Sequence, residues 1–176
     1  MKKQTKKPVK ITKKTEVVHK RPSWDEYFLK MVEMVGERGT CDRGRSGALI
    51  TKDKRILATG YVGSPVGLPS CDEVGHEMHA VTHEDGTVAR HCIRTAHCEL
   101  NAIVNAARVG VAVDGGTIYC KMTPCYTCAK SIINAGIKRV VAMKDYHATV
   151  ETKRIFKQAK IELVIMDKEI QAYKDQ

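Results

Sequence analysis

The chain has 176 residues, 43% of them apolar and 5% aromatic, and carries a formal net charge of +10 at neutral pH. That length and apolar content fit one domain with a true core plus a tail, and no run of about 18 apolar residues could span a membrane. The basic N-terminus lacks the apolar stretch of a secretory signal, so a cytoplasmic protein is expected.

Residues 1–21 hold eight Lys, Arg21 and one acid, Glu16, and so account for +8 of the +10. The basicity belongs to the tail and not to a face of the domain. Residues 1–22 read as a solvated, disordered tail whose contact with nucleic acid would be limited to phosphates; residues 23–176 read as one domain.

In chain order, Ser23 and Glu26 have capping-box spacing after Pro22, and Tyr27, Phe28, Met31, Val32 and Val35 recur at helical spacing up to Gly39. Trp24 and Phe28 are expected in the core. "SGALIT" and "RILATGY", joined by "KDK", read as an antiparallel hairpin. From Val62 to Ala96 the pattern dissolves into an aperiodic segment holding His76, His79, His83 and His91, which reads as one long functional loop. A helix follows from about His97 to Val109. "GTIYCK" is a strand, "PCYTCAKSIINAG" a helix, "KRVVAMK" a strand, "TVETKRIFKQA" a helix and "IELVIM" a strand. The alternation after Thr117 implies parallel strands. The whole is an α/β domain with a mixed five-stranded sheet, an antiparallel hairpin first and parallel strands after it, with helices packed on it.

Seven cysteines, at 41, 71, 92, 98, 120, 125 and 128, are an odd set for a disulfide framework and point instead to metal ligands. Cys125 and Cys128 lie one helical turn apart at a helix N-terminus, where the dipole favours thiolates. Alone, that C-x-x-C motif is equally a redox motif. His97, at the start of another helix, supplies a third ligand, and a catalytic zinc keeps its fourth position for water. Cys98 diverges from His97 by about 100° and is not chosen as a ligand. Glu99 lies two positions past the ligand, where a proton carrier is needed. This H-x-E with P-C-x-x-C is the zinc-deaminase arrangement: hydroxide formed near neutral pH attacks the amidine carbon of a cytosine or adenine ring while the carboxylate moves the protons. A structural Cys₃His zinc is the alternative for these residues. Cys120, on an apolar strand, reads as core.

"AHCELNAI", "TPCYTCAKSIINAGIKRVV", "SWDEYF" and "GYVGSPVGLPSCDEVGH" together resemble the dCMP deaminases of the cytidine and deoxycytidylate deaminase family over residues 23–165. The resemblance implies a cytidine-deaminase-like α/β/α sandwich with helices on both sheet faces, and a zinc hydrolase that turns dCMP into dUMP for thymidylate synthesis. It also implies a homo-oligomer, often a hexamer, activated by dCTP and inhibited by dTTP. His97, Cys125 and Cys128 fall on the family's zinc ligands and Glu99 on its proton shuttle. Cys98 stands where the family usually has Ala, and Val62 stands where it has a nucleotide-binding Asn. Some members carry a second, structural zinc. Cys41 and Cys71 match two of its ligand positions, and His76 and the pair His91–Cys92 can complete the set, best as His76 with Cys92; otherwise Cys41 is a buried hydrophobe and the histidines are surface.

Further candidates for substrate contacts are Cys98, Asn101, Arg108 and Tyr146. Asn101, Asn105 and Arg108 share one helix face, and a guanidinium suits a phosphate, including one across a subunit interface. Tyr146 follows a strand's C-terminal end, where open α/β sheets bind ligands. Two other functions share parts of this pattern: a deaminase of polynucleotides, which would use the basic tail, and a non-catalytic zinc-stabilised module binding nucleic acid. The near-neutral body and few aromatics speak against the first, and Glu99 against the second.

Overall fold

Helix α1 (Trp24–Gly36) starts where the capping box closes: the Ser23 Oγ accepts from the Glu26 N–H at 3.2 Å, and Glu26 Oε2 accepts from the Ser23 N–H at 2.7 Å. These two bonds satisfy N–H groups that a helix start otherwise leaves unpaired. The computed structural model describes residues 20–84 and 86–171, so residues 1–19 of the expected tail (1–22) and the end of the expected domain, 172–176, lie outside the described residues.

Five strands form the main sheet in the order β2 (Arg55–Tyr61), β1 (Gly47–Lys52), β5 (Thr117–Met122), β6 (Arg139–Tyr146), β7 (Glu162–Gln171). The hairpin β1–β2 turns through Asp53 and Lys54, both at positive φ, and β1 also pairs antiparallel with β5. β5, β6 and β7 are mutually parallel. The sheet is mixed, as expected, with β6 and β7 running further than the apolar strings suggest.

Side chains alternate across this sheet and divide the core in two. Ala48, Ile50, Ile118, Cys120 and Val140 pack against helices α3 (Cys98–Arg108), α4 (Tyr126–Asn134) and α5 (Val150–Gln158). Leu49, Tyr119 and Val141 point the other way, onto Phe28, Leu29 and Val32 of α1. Helices therefore cover both faces, the α/β/α arrangement. Trp24 does not join the core: it is 50% exposed at the first residue of α1, stacked on Phe28 on one side and approached by Lys54 Nζ at 5.5 Å. Phe28 fills the i+4 position over the sheet and leaves Trp24 outside it.

Two glycines set how closely helices approach the hairpin. A Cβ on Gly47 would lie 2.3 Å from the Val32 carbonyl of α1. A Cβ on Gly60 would lie 2.3 Å from both Ala102 N and Cys98 O, in the first turns of α3.

The segment between Val62 and Ala96 is not one loop. It contains a single-turn helix, α2 (Cys71–Val74), and a separate antiparallel pair, β3 (Met78–Thr82) with β4 (Val88–Cys92). Only Ala89 of these two strands is buried. Both faces being largely wet, the sequence shows no apolar alternation there to read.

Candidate active site

Two helix starts and the ends of two parallel strands meet in one cavity of about 510 Å³. His97 is the N-cap residue of α3, and Cys125 is the N-cap residue of α4, directly after β5. The Nδ1 of His97 lies 3.4 Å from Cys125 Sγ and 3.5 Å from Cys128 Sγ. Tetrahedral zinc with S at about 2.3 Å and N at about 2.0–2.1 Å needs S···N separations of roughly 3.6 Å. The three donors fit that ion in kind and in spacing, and could hold it. The Cys125 thiol is pulled down to about 4, chiefly by a hydrogen bond from Cys128 and also by His97, while the Cys128 thiol is pushed up by the same bond. Cys125 in turn holds the His97 imidazole up at about 9.

Glu99 is buried at 7% exposure and lines the same cavity. Burial pushes its carboxyl up, with His97 acting in the opposite sense. A buried carboxyl raised in this way suits a group that must both take up and release a proton. Cys98, one residue away, turns into the core, and its thiol donates to Glu99 Oε2 at 3.4 Å. Its divergence from His97 follows from the helical step.

The other candidates separate. Tyr146 is the last residue of β6, 7% exposed, and lines the cavity with its ring 4.3 Å from that of His147. Asn101 gives its side-chain amide to the carbonyls of Tyr61 at 2.8 Å and Ala96 at 3.4 Å, and Asn105 gives its amide to Thr59 O at 2.9 Å. Both tie α3 to the β2 edge. Arg108 is exposed in the last turn of α3, away from the cavity lining. Val62 lines the cavity.

Beside the cavity lies the second donor set. Cys41 Sγ is 3.7 Å from His76 Nδ1, Cys71 Sγ is 3.5 Å from Cys92 Sγ, and the four donors lie within 4.8 Å of one another. They could hold a metal ion. The His76 Nε2 lies 2.9 Å from Asp42 Oδ1, the carboxylate partner that orients a ligating imidazole.

Sequence reasoning missed two features, one behind the cavity lining and one within it. Asp145 accepts from the Thr123 hydroxyl at 3.0 Å, the Tyr146 N–H at 2.9 Å and the Thr149 hydroxyl at 3.1 Å, and so shapes the turn after β6. His83 and His91 meet with their Nε2 atoms 3.1 Å apart. Neither contact has a signal in sequence, because each depends on how separate strands end.

The model of the cytidine and deoxycytidylate deaminase zinc-binding region matches residues 22–144. This chain belongs to that family. Over 139 residues it is 40% identical to the ComE operon protein 2 of Bacillus subtilis (strain 168), covering 79% of this chain and 69% of that protein. It is 34% identical to the deoxycytidylate deaminase of Mycobacterium phage D29, covering 71% of this chain and 98% of the phage protein. The deoxycytidylate deaminases of Schizosaccharomyces pombe and Saccharomyces cerevisiae are longer, and the chain spans 44% of each. The crystal structure of the cyanophage S-TIM5 dCMP deaminase in complex with dCMP and dUMP superposes with a TM-score of 0.66 at 29% identity, covering 84% of this chain and all of that one. The family's zinc-binding region spans His97, Cys125 and Cys128, and this donor set could hold such an ion. No helix among the described residues is long and apolar enough to cross a membrane.

Proposed function

We propose that the chain is a zinc-dependent hydrolase that deaminates dCMP to dUMP with release of ammonia, supplying dUMP for thymidylate synthesis. The observation that carries this reading is the buried Glu99 carboxyl on the floor of the cavity that also holds His97, Cys125 and Cys128. The relatives named deoxycytidylate deaminase and the neighbour structure with dCMP and dUMP bound support the choice of substrate.

His97, Cys125 and Cys128 would hold the zinc, and when bound it lowers the pKa of a water ligand from about 15.7 to about 7. Glu99 takes a proton from the water as its oxygen bonds to C4 of the cytosine ring, and delivers that proton to N3. The water's second proton passes through the same carboxylate to the exocyclic nitrogen, the C4–N4 bond breaks, and ammonia leaves. Burial of Glu99 suits both halves of this shuttle. Tyr146, which lines the cavity, would stack on the base.

Cys41, Cys71, His76 and Cys92 are assigned to a second, structural zinc. A homo-oligomer, with hexamer as the family expectation, and regulation by dCTP and dTTP belong to the same proposal. Exposed Val104 on α3 and Val109 just past its end, on either side of Arg108, support an interface there. The chain is placed in the cytoplasm, consistent with seven free cysteines.

Glu99→Ala is expected to lose at least about 10²-fold in ammonia release from dCMP with zinc content and fold unchanged. The substrate is checked with a panel of cytosine and adenine nucleosides, nucleotides and oligonucleotides. Turnover of oligonucleotides without turnover of dCMP would sink the proposal.

A further inference from the structure

A base seated over the metal centre leaves the 5′-phosphate to be met elsewhere in the cavity, and the charged groups that line it limit where. Apart from the ligand His97, the basic side chains of the lining are Arg43, His83 and His91; the acids are Glu99 on the floor and Glu84. His91 is on β4 and His83 directly follows β3, so the hairpin brings both rings to the cavity with Nε2 atoms 3.1 Å apart. The Arg43 guanidinium is anchored beside them on the Arg90 carbonyl at 3.2 Å. In the turn after β6, outside the cavity lining, the ring of His147 lies 6.0 Å from that of His83.

We propose that His83 and His91 are specificity-determining residues that receive the 5′-phosphate of the nucleotide, with Arg43 as the flanking cation; this rests on the dCMP reading above. Two imidazole nitrogens this close can turn two N–H donors onto one phosphate group in place of the hydrogen bond they share. An imidazole N–H can donate to a phosphate oxygen, and hydrogen bonds to an ionised acceptor are among the strong ones. The hairpin that presents the pair has almost no core of its own. Cys92, adjacent to His91, belongs to the Cys41, Cys71, His76 cluster, which thereby fixes the phosphate-binding wall against the domain. The second metal cluster then has a role in substrate selection as well as in folding, because it preorganises the two donors.

The test uses the zinc-loaded full chain and compares dCMP with deoxycytidine, which lacks the phosphate. His83→Gln and His91→Gln should each raise KM for dCMP about tenfold or more, the size expected for loss of one charge-assisted bond. The kcat on dCMP and kcat/KM on deoxycytidine should stay near wild type. Where deoxycytidine turnover is below detection, calorimetry of dUMP against deoxyuridine reads the same preference. His83→Gln decides if His91→Gln disturbs the neighbouring Cys92, since His83 adjoins no ligand in sequence. Equal losses on both substrates, or no change on either, in His83→Gln would overturn the inference while dCMP turnover by the wild type stands. So would the loss of a zinc equivalent in His83→Gln, which would make the pair metal ligands. A wild-type chain without dCMP turnover would remove the dCMP reading and this inference together.

Discussion

Asp25 sits in the first turn of α1 and grips Arg139 of β6 with both carboxylate oxygens at 2.8 Å, while the Tyr119 hydroxyl donates to Oδ1 at 2.9 Å. The Arg139 bonds hold the Asp25 carboxyl below its usual range, against burial, which acts the other way. Burial, then the Asp25 charge, pushes the Tyr119 hydroxyl up to about 12. A carboxyl whose folded pKa is depressed stabilises the fold fully above its unfolded value, about 3.9, and loses that contribution as pH falls through the folded value. Asp25→Asn should therefore cost about 1–3 kcal/mol near neutral pH, as expected for a charged hydrogen-bond partner. In urea titrations the gap to wild type should be constant down to about pH 5 and shrink below about pH 4. A gap that stays undiminished in acid would show that shape, and not charge, holds α1 to β6.

At the scale of elements, the site depends on where α3 points, and Gly60 governs that. A Cβ at Gly60 would lie 2.3 Å from both Ala102 N and Cys98 O, so any side chain there must push α3 off β2. Gly60→Ala should destabilise by roughly 1–3 kcal/mol through overpacking. It should also lower kcat on dCMP by up to about 10²-fold, since α3 carries His97 and Glu99 and small misplacements at a reacting centre are costly. Stability lost with kcat intact would show that α3 relaxes without turning its tip. The elements that bring the candidate donor set together were legible because the pattern is local: an imidazole at a helix start, a carboxylate two residues on, two sulfurs one turn apart. The main sheet was legible for the same reason, through apolar strands separated by Gly and Pro. What the sequence could not display are partnerships across elements. Asn101 reads as a polar residue on a helix face until β2 is seen to offer it the Tyr61 carbonyl. The β3–β4 hairpin is wet on both faces and anchored by sulfur and imidazole, so its strands lack the alternation that betrays a half-buried sheet.

At the scale of the molecule, two donor sets divide the work of one cavity, and they should separate experimentally. The His97, Cys125, Cys128 set lies between α3 and α4, whose buried faces pack into the larger core; a metal on the Cys41, Cys71, His76, Cys92 set would fasten a hairpin with little buried apolar surface. A metal that supplies structure where no core exists is coupled to local folding, and its loss unfolds what it holds. The purified chain should therefore contain two zinc equivalents, one for each donor set, and Cys71→Ser should retain one. In that variant Arg90, on β4, should become an early tryptic site, because local opening governs cleavage. The main sheet should keep its cooperative unfolding, since none of its strands contributes a ligand to the lost site. KM for dCMP should rise more than kcat falls, because the hairpin carries His83 and His91 while Glu99 and the other three ligands stay in place. Two equivalents in Cys71→Ser, or one in the wild type, would mean that the four residues do not form a metal site. The wall of the cavity would then have to be held by backbone pairing between β3 and β4 alone.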